Sequence, residues 1–473
     1  MGCRMQKVTD EQEEPELIRQ LGLFDTTMII MGIVIGSGIF LTTGMMAKVI
    51  PSAPLILLAW VVGGLHALTG ALTYAELGAS MPKAGGQYVY LREAYGPFVG
   101  FLYGWVSFLV YLTGILAGLS IGFAEYFGYF FPSLGTGHIF FETDFMIGEW
   151  SLHYVFSAGH IVAVILILSI SGINYFGVFF GKLISNVSST IKISAILLFV
   201  VFGLFSTETR PLDLTINPDD IDFGTLIVGF GIALIAVSWT IGGWEEITFV
   251  AGEIKEPSRT LPRALLIGTG GITILYLLIN YIYLKAIPVS DMAGVTRVGE
   301  QVSNVIFGDV GAGLLAAAVV ISILGSVNGT VLVGPRVYYA MARDGLFFKQ
   351  AARVHPKYHT PGWAILMQAG WACLLALSGT FEDLITFVTF ATLMLWVAAA
   401  SAVFKLRRKY PDLPRPYKTW GYPFVPIFFI AASLGIMVNM LFETPMEALS
   451  GILLTAIGIP VYFMWHKSSA IER

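Results

Sequence analysis

Two glycine-containing strings and three ionisable residues are the parts of this sequence whose types and spacing can do chemistry. The strings are Gly36-Ser37-Gly38-Ile39-Phe40 and Trp239-Thr240-Ile241-Gly242-Gly243-Trp244; the ionisable residues are Lys192, Glu245 and Glu246. Glycines this close together weaken a helix by about 1 kcal/mol each relative to alanine, and they reach backbone angles that other residues avoid. A broken helix frees N–H groups at one half-helix start and C=O groups at the other half-helix end. Such ends suit a zwitterion, its carboxylate facing the N–H groups and its ammonium facing the carbonyls. The bland reading of either string alone is a packing notch, because glycine also lets helices approach closely. Covalent and metal chemistry find less support. There is no His-Glu-x-x-His string, and His66, His138, His153, His160, His355, His359 and His466 show no ligand spacing within a span. The converging acids, metal cluster or nucleophile-base pair that an enzyme needs are missing from the sequence pattern, so the chain is read as no enzyme and as needing no cofactor or metal.

The elements that must position these residues follow from composition. The 473 residues are 56% hydrophobic and 12% charged, against about 25% charged in soluble proteins, so lipid has to cover part of the surface. The net charge of -4 is mild, and no long basic run or zinc spacing points to nucleic acid. Two cysteines, Cys3 and Cys373, make no disulfide framework. Residues 1–20 are polar and acidic, unlike a signal peptide. Met1-Gly2-Cys3 is not read as a lipid anchor, since Gln6 stands where a myristoylation motif wants Ser or Thr.

A spanning helix needs about 20 mostly apolar residues. Twelve runs qualify, near 25–49, 54–78, 97–131, 152–174, 182–206, 224–250, 264–287, 309–341, 363–380, 383–404, 422–442 and 447–466. Lys and Arg fall roughly 21 to 4 on the two sides, a bias that puts both termini in the cytoplasm. The expectation is an all-α polytopic membrane protein of twelve transmembrane helices. Residues 1–23 form a cytoplasmic tail, 24–207 a first five-helix repeat, 224–404 a second, inverted repeat, 422–466 the last two spans and 467–473 a cytoplasmic end. The first and sixth spans, which hold the two glycine strings, then open the two halves. Interrupted helices at matching places in inverted halves point to a transporter binding site. A channel is the weaker reading, because a pore shows charge rings or a carbonyl-lined filter.

Lys192 lies deep in the fifth run, where a charge costs several kcal/mol unless paired or wetted. Glu245 and Glu246 follow the second break. The bland reading gives them a basic partner on the cytoplasmic side; the functional one has them face an aqueous pathway and carry protons. His66 is read as a hydrogen-bonded packing residue, and Glu76 with Lys83 and Arg92 as ordering an inner loop.

Further strings resemble one family in order. They are Tyr74-Ala75-Glu76-Leu77-Gly78, Pro82-Lys83-Ala84-Gly85-Gly86-Gln87-Tyr88, Glu253-Ile254-Lys255-Glu256-Pro257, Leu261-Pro262-Arg263, Ala342-Arg343-Asp344-Gly345, Thr360-Pro361-Gly362, Arg415-Pro416-Tyr417 and Gly421-Tyr422-Pro423. Together with the two glycine strings they resemble the L-amino-acid transporter branch of the amino acid–polyamine–organocation superfamily, over nearly the whole chain. The resemblance implies two inverted five-helix repeats plus two helices, with the first and sixth spans unwound in mid-membrane. It implies a substrate site of Val34, Ile35, Gly36, Ser37, Gly38, Ile39, Trp239, Thr240, Ile241, Gly242 and Gly243. Ser37, Gly38 and Ile39 would offer N–H groups; Val34, Trp239 and Gly242 would offer carbonyls. Trp239 would gate the pocket and favour small or medium neutral amino acids. Lys192 would stand in for a sodium ion, tying the first span to the eighth. Glu245 and Glu246 depart from the uncharged amides of many relatives. Exchange, proton symport, and a carrier of cationic amino acids or polyamines remain open. Animal members join a glycoprotein through a cysteine in the loop after the third span. Residues 132–151 have none, so no disulfide-linked partner is expected.

Overall fold

A backbone in hydrocarbon must satisfy its own N–H and C=O groups, which is why long apolar runs fold as helix. The computed structural model describes residues 19–147, 150–212 and 223–471. The tail through residue 18, with Cys3, and residues 472–473 lie outside the described residues. The chain opens with a bent pair, α1 (Leu23–Val34) and α2 (Gly38–Val49), followed by α3 (Ala53–Ser80) and a short α4 (Gln87–Tyr95). Helix α5 (Pro97–Val106) runs through a π turn, Ser107–Tyr111, into α6 (Leu112–Phe130). An antiparallel hairpin of β1 (Ile139–Ile147) and β2 (Trp150–Ser157) comes next. Helices α7 (Ala158–Tyr175), α8 (Val178–Phe205) and α9 (Phe223–Ile241) lead to a 3-10 segment, Trp244–Glu253. Then come α10 (Pro257–Ala286), α11 (Val289–Met292), α12 (Val298–Val333), α13 (Pro335–Arg343), α14 (Gly362–Ala376), α15 (Phe381–Lys409), α16 (Phe424–Glu443) and α17 (Pro445–Ile471).

Among the described residues, ten helical stretches are long and apolar enough to cross a membrane, and the α1–α2 pair, bent by 41°, makes an eleventh. The run expected at 363–380 falls short. Helix α14 has 15 residues, about 22 Å at about 1.5 Å per residue, against roughly 30 Å of hydrocarbon. Its far end turns at Leu377 and Ser378, and the Tyr154 hydroxyl from β2 bonds the Leu377 carbonyl at 2.9 Å. The fourth run also shortens: the residues before Ala158 pair as β2 instead of joining α7.

The helix bundle turns large apolar side chains outward, among them Leu65 of α3, Leu168 of α7, Phe202 of α8 and Phe442 of α16. Water does not tolerate a surface of this kind over so many helices, and lipid does. Inside, α3 packs along α10, α8 along α12, and α2 against α9, while α1 touches α8, α10 and α12. His66 is a packing residue as expected: its Nε2 is 2.8 Å from the Ser433 hydroxyl, and its ring stacks on Phe429 at 4.6 Å.

The expected grouping of Glu76 with Lys83 and Arg92 is corrected. Glu76 is buried, and its two oxygens accept from Arg407 at 2.8 and 2.7 Å and from the Thr419 amide at 2.7 Å, with Arg415 at 3.5 Å. It thereby ties the end of α3 to the end of α15. Arg92 instead pairs with Asp344 and Glu93. Tyr88 donates to Asp344 at 2.7 Å, and burial together with that carboxylate pushes its phenol up.

Candidate functional site

Both glycine strings interrupt their helices. Helix α1 ends at Val34 and α2 begins at Gly38, with the Gly36 amide turned back to the Val34 carbonyl at 2.7 Å. Helix α9 ends at Ile241, and the 3-10 segment starts at Trp244. Gly243 between them has φ +96, a left-handed angle that favours glycine. The two breaks touch. A Cβ placed on Gly38 would lie 3.0 Å from the Thr240 Cα, so only glycine allows this approach. The Thr42 and Thr240 hydroxyls meet at 3.1 Å beside it.

The breaks border one cavity of about 40 Å³, lined in part by Val34, Gly36, Ser37, Gly38, Trp239, Thr240, Gly242, Gly243 and Glu246. About three or four waters would fill it at roughly 10–15 Å³ each. Gly38, which opens α2, lines the cavity, and a first helical residue has no intrahelical acceptor for its N–H; the Phe40 amide is already bonded to the Ser37 carbonyl at 3.1 Å. The Ser37 hydroxyl is buried there without a partner. Ile35, Ile39 and Ile241, expected at the site, are buried in the surrounding packing and do not line the cavity.

Two of the expected ammonium ligands are partly used. The Val34 carbonyl accepts from the Tyr276 hydroxyl at 3.0 Å, and the Trp239 carbonyl accepts from the Gly242 amide at 3.2 Å. With the Gly36 amide also on it at 2.7 Å, the Val34 oxygen has both lone pairs engaged, whereas the Trp239 oxygen keeps a second one. The Trp239 ring caps the cavity edge-on to Phe381 at 6.3 Å. Beyond Phe381 lies a second cavity of about 310 Å³ on the hairpin side, lined by Lys48, Glu125, His160 and Glu382 among others. On the opposite side the site is floored by Trp244, which packs on Tyr74 at 5.1 Å and on Trp396 at 5.5 Å. The Gly85 amide bonds the Phe249 carbonyl, and the Gln20 and Leu21 amides bond the Glu253 carbonyl. Lys255 returns a bond to Leu21, while Arg336 holds the Glu253 carboxylate at 3.1 Å.

Lys192 is buried behind the first break. Its Nζ donates to the carbonyls of Gly32 at 2.8 Å, Ile35 at 2.7 Å and Ser322 at 2.9 Å, and lies 3.2 Å from the Ser326 hydroxyl. Ser322 and Ser326 belong to α12, and their hydroxyls also bond the Ile35 and Gly32 carbonyls. The loose carbonyl end of α1 is thus held by one cation and two hydroxyls. A positive charge at a helix C-terminus is favourable in itself.

The two glutamates do not meet a base. Among the described residues no Lys, Arg or His lies within ion-pair distance of either. Glu245 Oε1 accepts from the Tyr111 hydroxyl and the Trp396 indole, both at 2.5 Å. Glu246 is fully buried with both oxygens unpartnered. The basic partner expected for them is corrected: the helices around the second break offer phenols, indoles and aliphatic carbons instead.

Sequence reasoning missed the far wall. Tyr111, Ile115 and Leu119 come from the π turn and α6, and Thr389, Thr392 and Trp396 from α15. Each set repeats at three or four residues, the spacing of one helix face. That spacing was visible, but every span of this chain has such faces, and nothing in the sequence says which one turns to the breaks.

A family model described as amino acid permease matches residues 21–464. The serine/threonine exchanger SteT of Bacillus subtilis is 31% identical, over 97% of this chain and 99% of its own length. The branched-chain amino acid permease BcaP of the same organism is 30% identical, over 96% and 94%. The human cystine/glutamate transporter is 28% identical, over 96% and 87%.

Proposed function

The chain belongs to the amino acid permease family, and we propose that it is a secondary carrier moving small or medium neutral L-amino acids by alternating access without sodium. One observation carries the reading: two interrupted helices, distant in sequence, meet around a single cavity with their loose backbone ends facing it. The substrate carboxylate takes the N–H groups of Ser37, Gly38 and Ile39. Its ammonium takes the carbonyls of Trp239 and Gly242, and that of Val34 once the Gly36 amide or the Tyr276 hydroxyl now bonded to it has let go. In this reading the breaks lie at mid-membrane depth in two inverted repeats, α14 completes a set of twelve spans, and both termini are in the cytoplasm of a cell whose plasma membrane holds the protein.

The cavity of about 40 Å³ is then a contracted state that must widen to admit substrate. Opening outward moves Trp239 off Phe381. Opening inward releases the bond from the Gly85 amide to the Phe249 carbonyl. Sodium independence is supported by the Lys192 ammonium, whose four oxygen neighbours are the kind of set a bound cation would otherwise occupy. The size limit is supported by the Trp239 ring over the cavity, and the names of the two bacterial relatives, for serine/threonine and branched-chain substrates, agree with it. We further propose that the protein works without a disulfide-linked subunit.

The test uses purified protein in liposomes preloaded with one amino acid and challenged outside with alanine, leucine or tryptophan in sodium-free buffer. Saturable counterflow of alanine or leucine is expected. No counterflow with any amino acid would overturn the carrier reading, tryptophan as best substrate the size limit, and a sodium requirement the role of Lys192.

A further inference from the structure

We propose that Glu246 is the proton carrier of this transport cycle, taking one proton from water on the hairpin side with each amino acid and releasing it to water on the opposite side. The inference rests on the carrier reading and adds to it the coupling ion and the residue that holds it.

The argument starts from what surrounds the carboxyl group. Glu246 lines the cavity, is fully buried, and has no hydrogen-bond donor on either oxygen. Its neighbour Glu245 is built differently, with a phenol and an indole donating to one oxygen. The titratable groups facing Glu246 are Glu245 on its own segment, Tyr111 of the π turn, Tyr103 of α5 and Tyr338 of α13. Helix α3 adds Tyr74 on the Glu245 side, and the Tyr276 hydroxyl of α10 is occupied by the Val34 carbonyl. The nearby cation, Lys192 of α8, spends its donors on Gly32, Ile35, Ser322 and Ser326. A buried carboxylate without donor or countercharge costs several kcal/mol, so a cation has to accompany it through the cycle.

Charge selects the cation. The backbone ends of the two breaks already match both charges of a zwitterion, so a neutral amino acid brings no spare positive charge to Glu246, which lines the same cavity. A proton needs no room, and the carboxyl oxygen supplies its bond. The location also suits coupling. Glu246 sits on the 3-10 segment just after Gly243, to whose carbonyl its amide is bonded at 3.2 Å. Motion at the second break that exposes the substrate therefore carries this carboxyl with it, so proton and substrate face the same side together.

The experiment uses the purified full chain in liposomes, with potential clamped by potassium and valinomycin and the pH dye pyranine inside. With one proton per amino acid, a gradient of one pH unit, alkaline inside, should accumulate substrate about tenfold, and the dye should report acidification in step with uptake. In Glu246→Gln, whatever uptake persists should neither respond to the gradient nor acidify the lumen. The wild-type measurement stands alone if the variant does not fold: net uptake into substrate-free liposomes that neither acidifies the lumen nor follows the gradient, or counterflow with no net uptake at all, overturns the proposal and leaves the carrier intact. Gradient-driven accumulation that survives in Glu246→Gln but is lost in Glu245→Gln overturns the assignment to Glu246. Absence of counterflow in the wild type sinks the carrier reading and takes this proposal with it.

Discussion

Replacing Lys192 by methionine keeps the length and shape of the side chain and removes its charge, which makes it the sharpest probe of the first break. The ammonium holds three carbonyls at 2.7–2.9 Å. Charge-assisted bonds contribute about 1.5–3 kcal/mol each, roughly 4–9 kcal/mol in all. Against this stands the cost of burying an ammonium, several kcal/mol, which methionine also removes. The Gly32 and Ile35 carbonyls keep the serine hydroxyls of α12, so neither is orphaned. The difference is a net loss of about 2–3 kcal/mol, felt by the geometry of residues 32–35 more than by the fold. At tenfold per 1.4 kcal/mol, Lys192→Met should lower the initial counterflow rate roughly 30- to 150-fold. The rate should be normalised to inserted, monodisperse protein. A rate within about threefold of wild type would refute the reasoning, since the break would then hold its shape without the cation.

Gly38→Val should reduce uptake below detection while insertion persists, because the Thr240 backbone is already 3.0 Å from where the Cβ would stand; retained uptake would remove these residues from the site. Glu76→Ala leaves Arg407 without its carboxylate and should destabilise the protein by about 2–4 kcal/mol, less than a fully buried pair because Arg407 reaches solvent, read as a lower midpoint of thermal unfolding in detergent. Trp239→Ala should raise counterflow of tryptophan relative to alanine by removing the ring above the cavity, with an unchanged ratio counting against the gate. Arg336→Met should loosen the floor by freeing the Glu253 carboxylate, seen as faster labelling of a cysteine introduced at residue 252; equal labelling would detach this contact from inward opening.

Much of the architecture was legible because its causes are local. Runs of apolar residues announce helices, and the glycines at 36, 38, 242 and 243 mark where two of them stop. Lys192 stood out because a lone cation in an apolar run needs a reason. The rest depends on contacts between distant residues. Glu76 finds Arg407 across 331 residues, and no local signal favours that partner over Lys83. The π turn before α6 and the choice of helix face at Tyr111 and Thr389 are set by packing. The residues before Ala158 were absorbed into an apolar run because β2 carries the same residue types as the helix it precedes. Glu245 and Glu246 misled for the opposite reason: acids near an expected cytoplasmic end usually meet bases, and here the chain meets itself with aromatic rings.

The exchange of amide bonds between residues 20–21 and 253–255 has a mechanical consequence. It couples the stem of the first broken helix to the stem of the second by main chain alone, independent of side-chain identity. Any pull on one is transmitted to the other, so the two arms swing as a single yoke and a half-open intermediate with one arm displaced is disfavoured. A spectroscopic reporter near Arg19 would therefore register the swing of both arms at once.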